Sequence, residues 1–227
     1  MCVVSNLNYI YVTYVIDPRR RGRSGWEDAV VSATMSAARI GPNAIIQTIA
    51  ALREVYAPEE LRTLLAGEAE GYLSQLPHEM IPEVQFHELV ELLTARLGVE
   101  RACEILLRSG ERTADYVRAN RIPALIRTVL GLLPAPISLR VFLPAISKHA
   151  WTFAGSGAFS FSLGRTPSVS IGRPVGQDTT GIAAVLCRYY CGAFTQMLRR
   201  VVSPRISLRE VACQARNSSA CVYQIVM

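Results

Sequence analysis

The sequence predicts an α+β fold: a helix-rich N-terminal two-thirds packed with a small antiparallel sheet and one long helix, closed by a C-terminal hairpin. Three observations carry this expectation. Apolar residues recur at helical spacing as far as about residue 150. After Trp151 the pattern changes to short runs in which apolar residues alternate with serine, bounded by Gly and Pro. Half of the 227 residues are hydrophobic, enough for one substantial core, yet no stretch reaches the roughly 20 apolar residues that a membrane-spanning helix needs.

Met1 to Ile16 lacks basic and acidic residues apart from its terminus, but carries Ser5, Asn6, Asn8 and Thr13. The basic run Arg19 to Arg23 follows it, whereas a secretory signal places its positive charges first. Residues 1–29 are therefore expected to be a flexible leader, with a membrane-surface tether as the other reading. Residues 30–227 form the single predicted domain, without internal repeats or a linker.

Trp26 to Arg39 is a candidate helix, broken by Ile40-Gly41-Pro42-Asn43. Ala44 to Tyr56 reads as a helix. Pro58 with Glu59 and Glu60 suits the first turn of the next, where acids complement the helix dipole, and that helix is expected to reach about Tyr72. Gln75 to Pro82 is a loop. Glu83 to Leu97 is plainly amphipathic: Phe86, Leu89, Val90, Leu93 and Leu97 share a stripe from which Glu88, Glu91 and Arg96 are excluded. Gly98 ends it. Val99 to Asn120 is a further helix, expected to bend near Gly110. Pro123 to Leu133 and Ile137 to Ala150 are two more, divided by Pro134-Ala135-Pro136. Ala158 to Leu163 and Ser168 to Ile171 read as a hairpin. Gln177 to Val202 is a long helix stopped by Pro204, and Ile206 to Cys213 and Ala220 to Val226 are a closing strand pair.

Charge divides the chain. Met1 to Thr113 holds 11 Lys and Arg against 15 Asp and Glu; from Ala114 onward there are 13 against 3. The C-terminal half therefore favours anionic partners: a carboxylate ligand, an acidic protein, lipid head groups or nucleic acid. A solvated arginine-rich surface is the plain alternative. Only Lys148 among the 24 basic residues is lysine.

With no export signal, the six cysteines point to metal ligation or burial rather than disulfides. Cys187 lies on the long helix, Glu210 and Cys213 end one closing strand, and Cys221 begins its partner. A hairpin brings Cys213 and Cys221 together, and a helix packed upon it can add a further donor. Three thiolates and a carboxylate form a tetrahedral set that Zn²⁺ accepts, and four protein donors leave no position for water, so such a site staples the fold. Buried free cysteines are the other reading. Cys191, one turn from Cys187, is an alternative to Glu210 as the fourth donor.

The run Cys187…Glu210-Val-Ala-Cys213…Cys221-Val-Tyr-Gln-Ile resembles the zinc motif of 4-vinyl reductase domains. Upstream, Ala38-Arg-Ile-Gly-Pro-Asn-Ala44, Pro82-Glu-Val-Gln-Phe-His-Glu88 and Thr113-Ala-Asp-Tyr-Val-Arg-Ala-Asn-Arg-Ile-Pro123 resemble members of that family that act in bacteriochlorophyll biosynthesis. The likeness spans about residues 30 to 227. It implies a structural zinc at Cys187, Glu210, Cys213 and Cys221, a zinc-stapled C-terminal hairpin, an apolar ligand pocket and a homodimer. It also implies a cytoplasmic protein, or one peripheral to the inner or photosynthetic membrane. Without an attached ATPase or DNA-binding domain, no nucleic-acid partner is expected.

Three functions follow as expectations. One is an accessory carrier that binds a vinyl-bearing Mg-tetrapyrrole and meets other bacteriochlorophyll-synthesis enzymes. Another is the reductase of the vinyl group on divinyl protochlorophyllide or chlorophyllide, with NADPH. The third is a small-molecule sensor. The sequence offers no catalytic residues: Gly155-Ser-Gly157 lacks the third glycine and the strand-to-helix context of a dinucleotide fingerprint, and the cysteines lack iron–sulfur spacing. For a flat, apolar ligand with a carboxylate, Phe86, Trp151, Phe153, Phe159 and Phe161 are candidate walls and His87 and His149 candidate ligands to its Mg²⁺. Ordinary core or surface roles are the alternative for each.

Overall fold

The computed structural model describes residues 3–4, 38–172 and 179–227 (for 3–4 and 180, the backbone only). Its helices are α1 Asn43–Arg53, α2 Pro58–Leu65, α3 Gly71–Ser74, α4 Glu83–Leu97, α5 Val99–Arg121, α6 Ala124–Leu132, α7 Ala135–Lys148, the short α8 Trp151–Ala154 and α9 Ala183–Val201. The strands are β1 Val3–Val4, β2 Arg39–Ile40, β3 Ile81–Pro82, β4 Phe159–Ser162, β5 Ser168–Gly172, β6 Ser207–Ala212 and β7 Ala220–Val226. The predicted α+β architecture is present, with helices through the first two-thirds and the main sheet after them.

That sheet runs β1-β6-β7-β5-β4. The two predicted hairpins, β4–β5 and β6–β7, join edge to edge through antiparallel pairing of β5 with β7, Ile171 facing Cys221. Within the segment read as a leader, Val3–Val4 pair in parallel with β6; the rest of that segment lies outside the described residues. So does most of the candidate helix from Trp26, and its last residue, Arg39, is in a strand. That strand, β2, pairs antiparallel with β3, which occupies the end of the predicted Gln75–Pro82 loop. The long helix expected from Gln177 begins at Ala183, after a 3₁₀ turn at Thr180–Ile182.

Helix α2 stops at Leu65 instead of continuing to Tyr72. Gly67 adopts φ 95°, which favours glycine, and the Arg96 guanidinium takes the last carbonyls. It donates to Thr63 O, Leu64 O and Ala66 O at 2.7, 2.9 and 3.1 Å, so the terminus is closed from another helix. At the other end, the Glu60 carboxylate accepts from Ala57 N–H at 2.7 Å.

Two cores flank α9. One joins α1, α2, α4 and α5 through Ile45, Leu52, Leu65, Phe86, Leu93 and Leu106. Each such side chain contributes about 1.5–3 kcal/mol on burial. The other joins α7 and α9 to the sheet through Leu139, Leu143, Leu198, Ile206, Leu208 and Tyr223. The cores meet where α5 and α9 cross at very close range. A Cβ on Gly110 would stand 2.0 Å from Tyr189 O, and one on Gly192 would stand 2.2 Å from Leu107 O. Helix α5 runs unbroken through Gly110, so the residue expected to mark a bend instead admits the backbone of α9.

Candidate metal centre

A strand alternates its side chains between two faces, so Glu210 and Cys213, three residues apart, should point opposite ways. A register shift between Glu210 and Ala212 in the β6–β7 ladder changes the phase. Val211 is turned out, 47 % exposed, while Glu210 and Cys213 are both 5 % exposed. On β7, Cys221 and Tyr223 alternate onto the inner face. The 3₁₀ turn Gln214–Arg216 returns the chain through Asn217 at φ 62°, a conformation asparagine tolerates. From the other side, α9 presents Cys187.

The donor atoms of Cys187, Glu210, Cys213 and Cys221 all lie within 4.8 Å of one another, and all four residues are buried. The Cys187 and Cys213 sulfurs are 3.5 Å apart. Those of Cys187 and Cys221 are joined, with their Cα atoms 6.2 Å apart. An oxidised Cys187–Cys221 pair and a metal-bound thiolate set would be mutually exclusive uses of the same sulfurs. The carboxylate distinguishes them: Glu210 Oε1 is buried with no hydrogen-bond partner. Leaving an acceptor so costs about 1–3 kcal/mol, and more when charged, whereas a cation among the sulfurs satisfies it. In the metal-free protein, burial first and then the hydrogen bond to Glu210 push the Cys213 thiol up to about 11. A divalent metal reverses that preference by binding the thiolate. Three sulfurs and one carboxylate oxygen therefore form a donor set that could hold a metal ion taking mixed S and O ligands.

Surrounding residues hold the set in place. Tyr223, fully buried and opposite Glu210 in the ladder, donates its hydroxyl to Cys187 O at 2.6 Å. This fixes α9 against β7 at the donor. Burial first, then the negative field of Glu210, raises the Tyr223 phenol far above its ordinary range, so it remains a donor. Gln214 Nε2 donates to Ile171 O at 3.0 Å, tying the turn to β5. The sequence signalled neither role, because both depend on pairing across the sheet. Cys191 is buried in the second core and is not among the four converging donors.

A cavity of about 10 Å³ adjoins the cluster, lined by His87, Ile171, Cys187, Tyr190, Gln214 and Cys221 among others. It has room for one water. Of the ligand-site candidates, α4 thus brings His87 to the cluster, with Phe86 in the first core against Tyr189. His149 and Trp151 lie at the far end of α7, both exposed. Nearby, Gly155 sits at φ 57° where a Cβ would meet the Glu83 carboxylate. Glu83, itself buried, accepts from Ser156 N–H at 2.8 Å and from the Ser156 hydroxyl. The Gly155-Ser-Gly157 segment is thus a turn locked onto the start of α4.

No protein-family model matches the chain. It is 37 % identical over 189 residues to the bacteriochlorophyll synthase 23 kDa chain of Cereibacter sphaeroides, covering 83 % of this chain and 90 % of that one. It is 33 % identical over 188 residues to the protein of the same name from Rhodobacter capsulatus, covering 82 % and 85 %. Among solved structures, an unliganded Fe(II) H-NOX protein from K. algicida shares the fold. Its TM-score is 0.50 at 12 % identity, over 82 % of this chain and 95 % of that one. With identity at this level over most of both chains, the protein belongs to the family of the bacteriochlorophyll synthase 23 kDa chain, a family of bacteriochlorophyll biosynthesis.

Proposed function

We propose that the chain binds a vinyl-bearing Mg-tetrapyrrole intermediate and presents it to other bacteriochlorophyll-synthesis enzymes, on a fold stapled by Zn²⁺ at Cys187, Glu210, Cys213 and Cys221. Kinship with the two 23 kDa chains of bacteriochlorophyll synthase is the observation that carries this reading. The donor set supports the division of labour: four buried protein donors leave no open position, so the metal holds structure and the ligand binds elsewhere. His87 and Tyr190 beside the cluster, between the two cores, are the side chains best placed to meet a macrocycle. The water-sized gap there requires α4 to separate from β5 and α9 before a pigment enters. The basic C-terminal half suits the ligand's carboxylate.

The test is an absorbance titration of the purified protein with divinyl protochlorophyllide, with NADPH present, followed over time. A saturable shift of the pigment bands without conversion is expected. Steady conversion to the monovinyl spectrum would make the protein the reductase instead. No shift at any concentration would remove the pigment from the reading.

A further inference from the structure

Helices α6 and α7 carry apolar side chains that no described residue covers. On α6, Leu132 is 81 % and Leu125 72 % exposed, and Ile126 and Val129 are exposed with them. Only Leu130 of that helix is buried. On α7, Ile137 and Val141 are exposed, opposite the buried Leu139, Phe142 and Leu143. The spacings 125, 129, 132 and 137, 141 put each set on one stripe of its helix. Trp151, 63 % exposed, opens the short helix that follows.

The charges along this stretch of the chain have one sign. From Tyr116 to Gln177 the sequence contains no Asp or Glu, against seven Lys and Arg. Arg121, before α6, and Arg140 and Lys148, on α7, are all exposed. At 9 and 14 residues, the two helices are too short to cross a bilayer, and no described helix is long and apolar enough to do so. Exposed Leu, Ile and Val flanked only by cations, with a Trp at the edge, is the chemistry of a helix lying in the head-group region of an anionic bilayer. There the apolar face enters the acyl boundary and the cations meet lipid phosphates. A Trp ring suits that boundary, having an apolar body and a polar N–H.

We propose that the outer faces of α6 and α7 form a peripheral docking surface for an anionic lipid bilayer. Leu125, Ile126, Val129, Leu132, Ile137 and Val141 enter the interface, and Arg121, Arg140 and Lys148 hold the lipid phosphates. The docking is independent of pigment binding and is tested without pigment.

The experiment is flotation of the full chain with phosphatidylcholine vesicles, with and without phosphatidylglycerol. Binding is expected only with phosphatidylglycerol, released as sodium chloride rises from about 0.05 M to about 0.5 M. Leu125→Glu with Leu132→Glu should lower partitioning about tenfold or more. Arg140→Gln and Lys148→Gln should each lower it about fivefold. None should change the melting temperature, because all four positions are exposed. In a Trp26→Phe background Trp151 is the one tryptophan left, and its emission should shift to the blue on vesicle binding. Failure to float with phosphatidylglycerol vesicles would overturn the proposal, as would equal flotation on pure phosphatidylcholine. Flotation indifferent to the Leu125→Glu, Leu132→Glu pair would also overturn it. Conversion of a dimer to a monomer by that pair, with lipid binding unchanged, would assign the surface to a second copy of the chain instead.

Discussion

The two cores on either side of α9 are built on different terms. The first is mostly apolar and its ion pairs lie at the surface: Glu54, at the end of α1, pairs with Arg108 at 2.8 Å and with Arg112. Hydroxyl pairs link its helices, Thr48 with Ser109 at 2.8 Å and Tyr189 with Thr113 at 3.3 Å. The second places the sulfurs of Cys187, Cys213 and Cys221 and the Glu210 carboxylate inside, with the field of Arg216 reaching Cys213 and that of Arg188 reaching Tyr223. A sheet of short strands offers less area to bury than a stack of helices, and the difference teaches how such a layer is made stable. The helical region relies on burial of large aliphatic side chains, while the sheet region adds to its apolar core a buried cluster of three cysteines and a glutamate that could hold a metal ion.

That contrast can be broken most sharply at the metal. Cys213→Ser should abolish retained zinc, measured by elemental analysis, and lower the melting temperature by about 10 °C or more, since structural zinc contributes folding free energy directly. Unchanged metal content and melting would mean the second core is held as the first is. Leu93→Ala, in the first core, should cost about 2–5 kcal/mol in denaturant unfolding while leaving the metal content intact; loss of metal would show the two regions to be one cooperative unit. At their junction, Gly110→Ala forces a Cβ against the α9 backbone and should cost about 1–3 kcal/mol, with hydrogen exchange rising on both sides of α9. A loosening confined to the helical side would place the junction elsewhere.

The smallest expected effect belongs to the surface pairs. The hydrogen bond from Arg108, with the charges of Arg108 and Arg112, holds the Glu54 carboxyl below its ordinary value. A lowered folded-state value means the stabilisation is complete above the ordinary carboxylate range. It is lost as the pH falls through the lowered value. Because Glu54 is 36 % exposed, solvent screens the pair, and Glu54→Gln should cost only about 0.5 kcal/mol at neutral pH. Thermal melts across acid pH should show that difference vanish below the carboxylate range. A constant difference would mean the ion pairs contribute nothing.

Much of this was legible along the chain. The stripe of Phe86, Leu89, Val90 and Leu93 defines α4 because a helix repeats every few residues and its buried face must be apolar. The Ser-alternating runs define β4 and β5 for the same reason at period two. The convergence of Cys187, Glu210, Cys213 and Cys221 was legible in part: the spacing alone is only moderately specific, with buried free cysteines and Cys191 as other readings, and the family resemblance singled out these four.

What the sequence by itself determined is therefore the identity and order of most elements, the composition of the donor set and the kinship with bacteriochlorophyll biosynthesis. Only the tertiary structure decided that α2 ends where Arg96 reaches it, and that the two hairpins join through Ile171 and Cys221. It also decided that a bulge at Val211 turns Glu210 and Cys213 to one side, that Tyr223 holds Cys187, and that Gly110 serves a crossing. The reason is range: periodicity and propensity act within a few turns of chain, whereas each of these features is a contact or a phase set by a residue distant in sequence, which packing alone brings near.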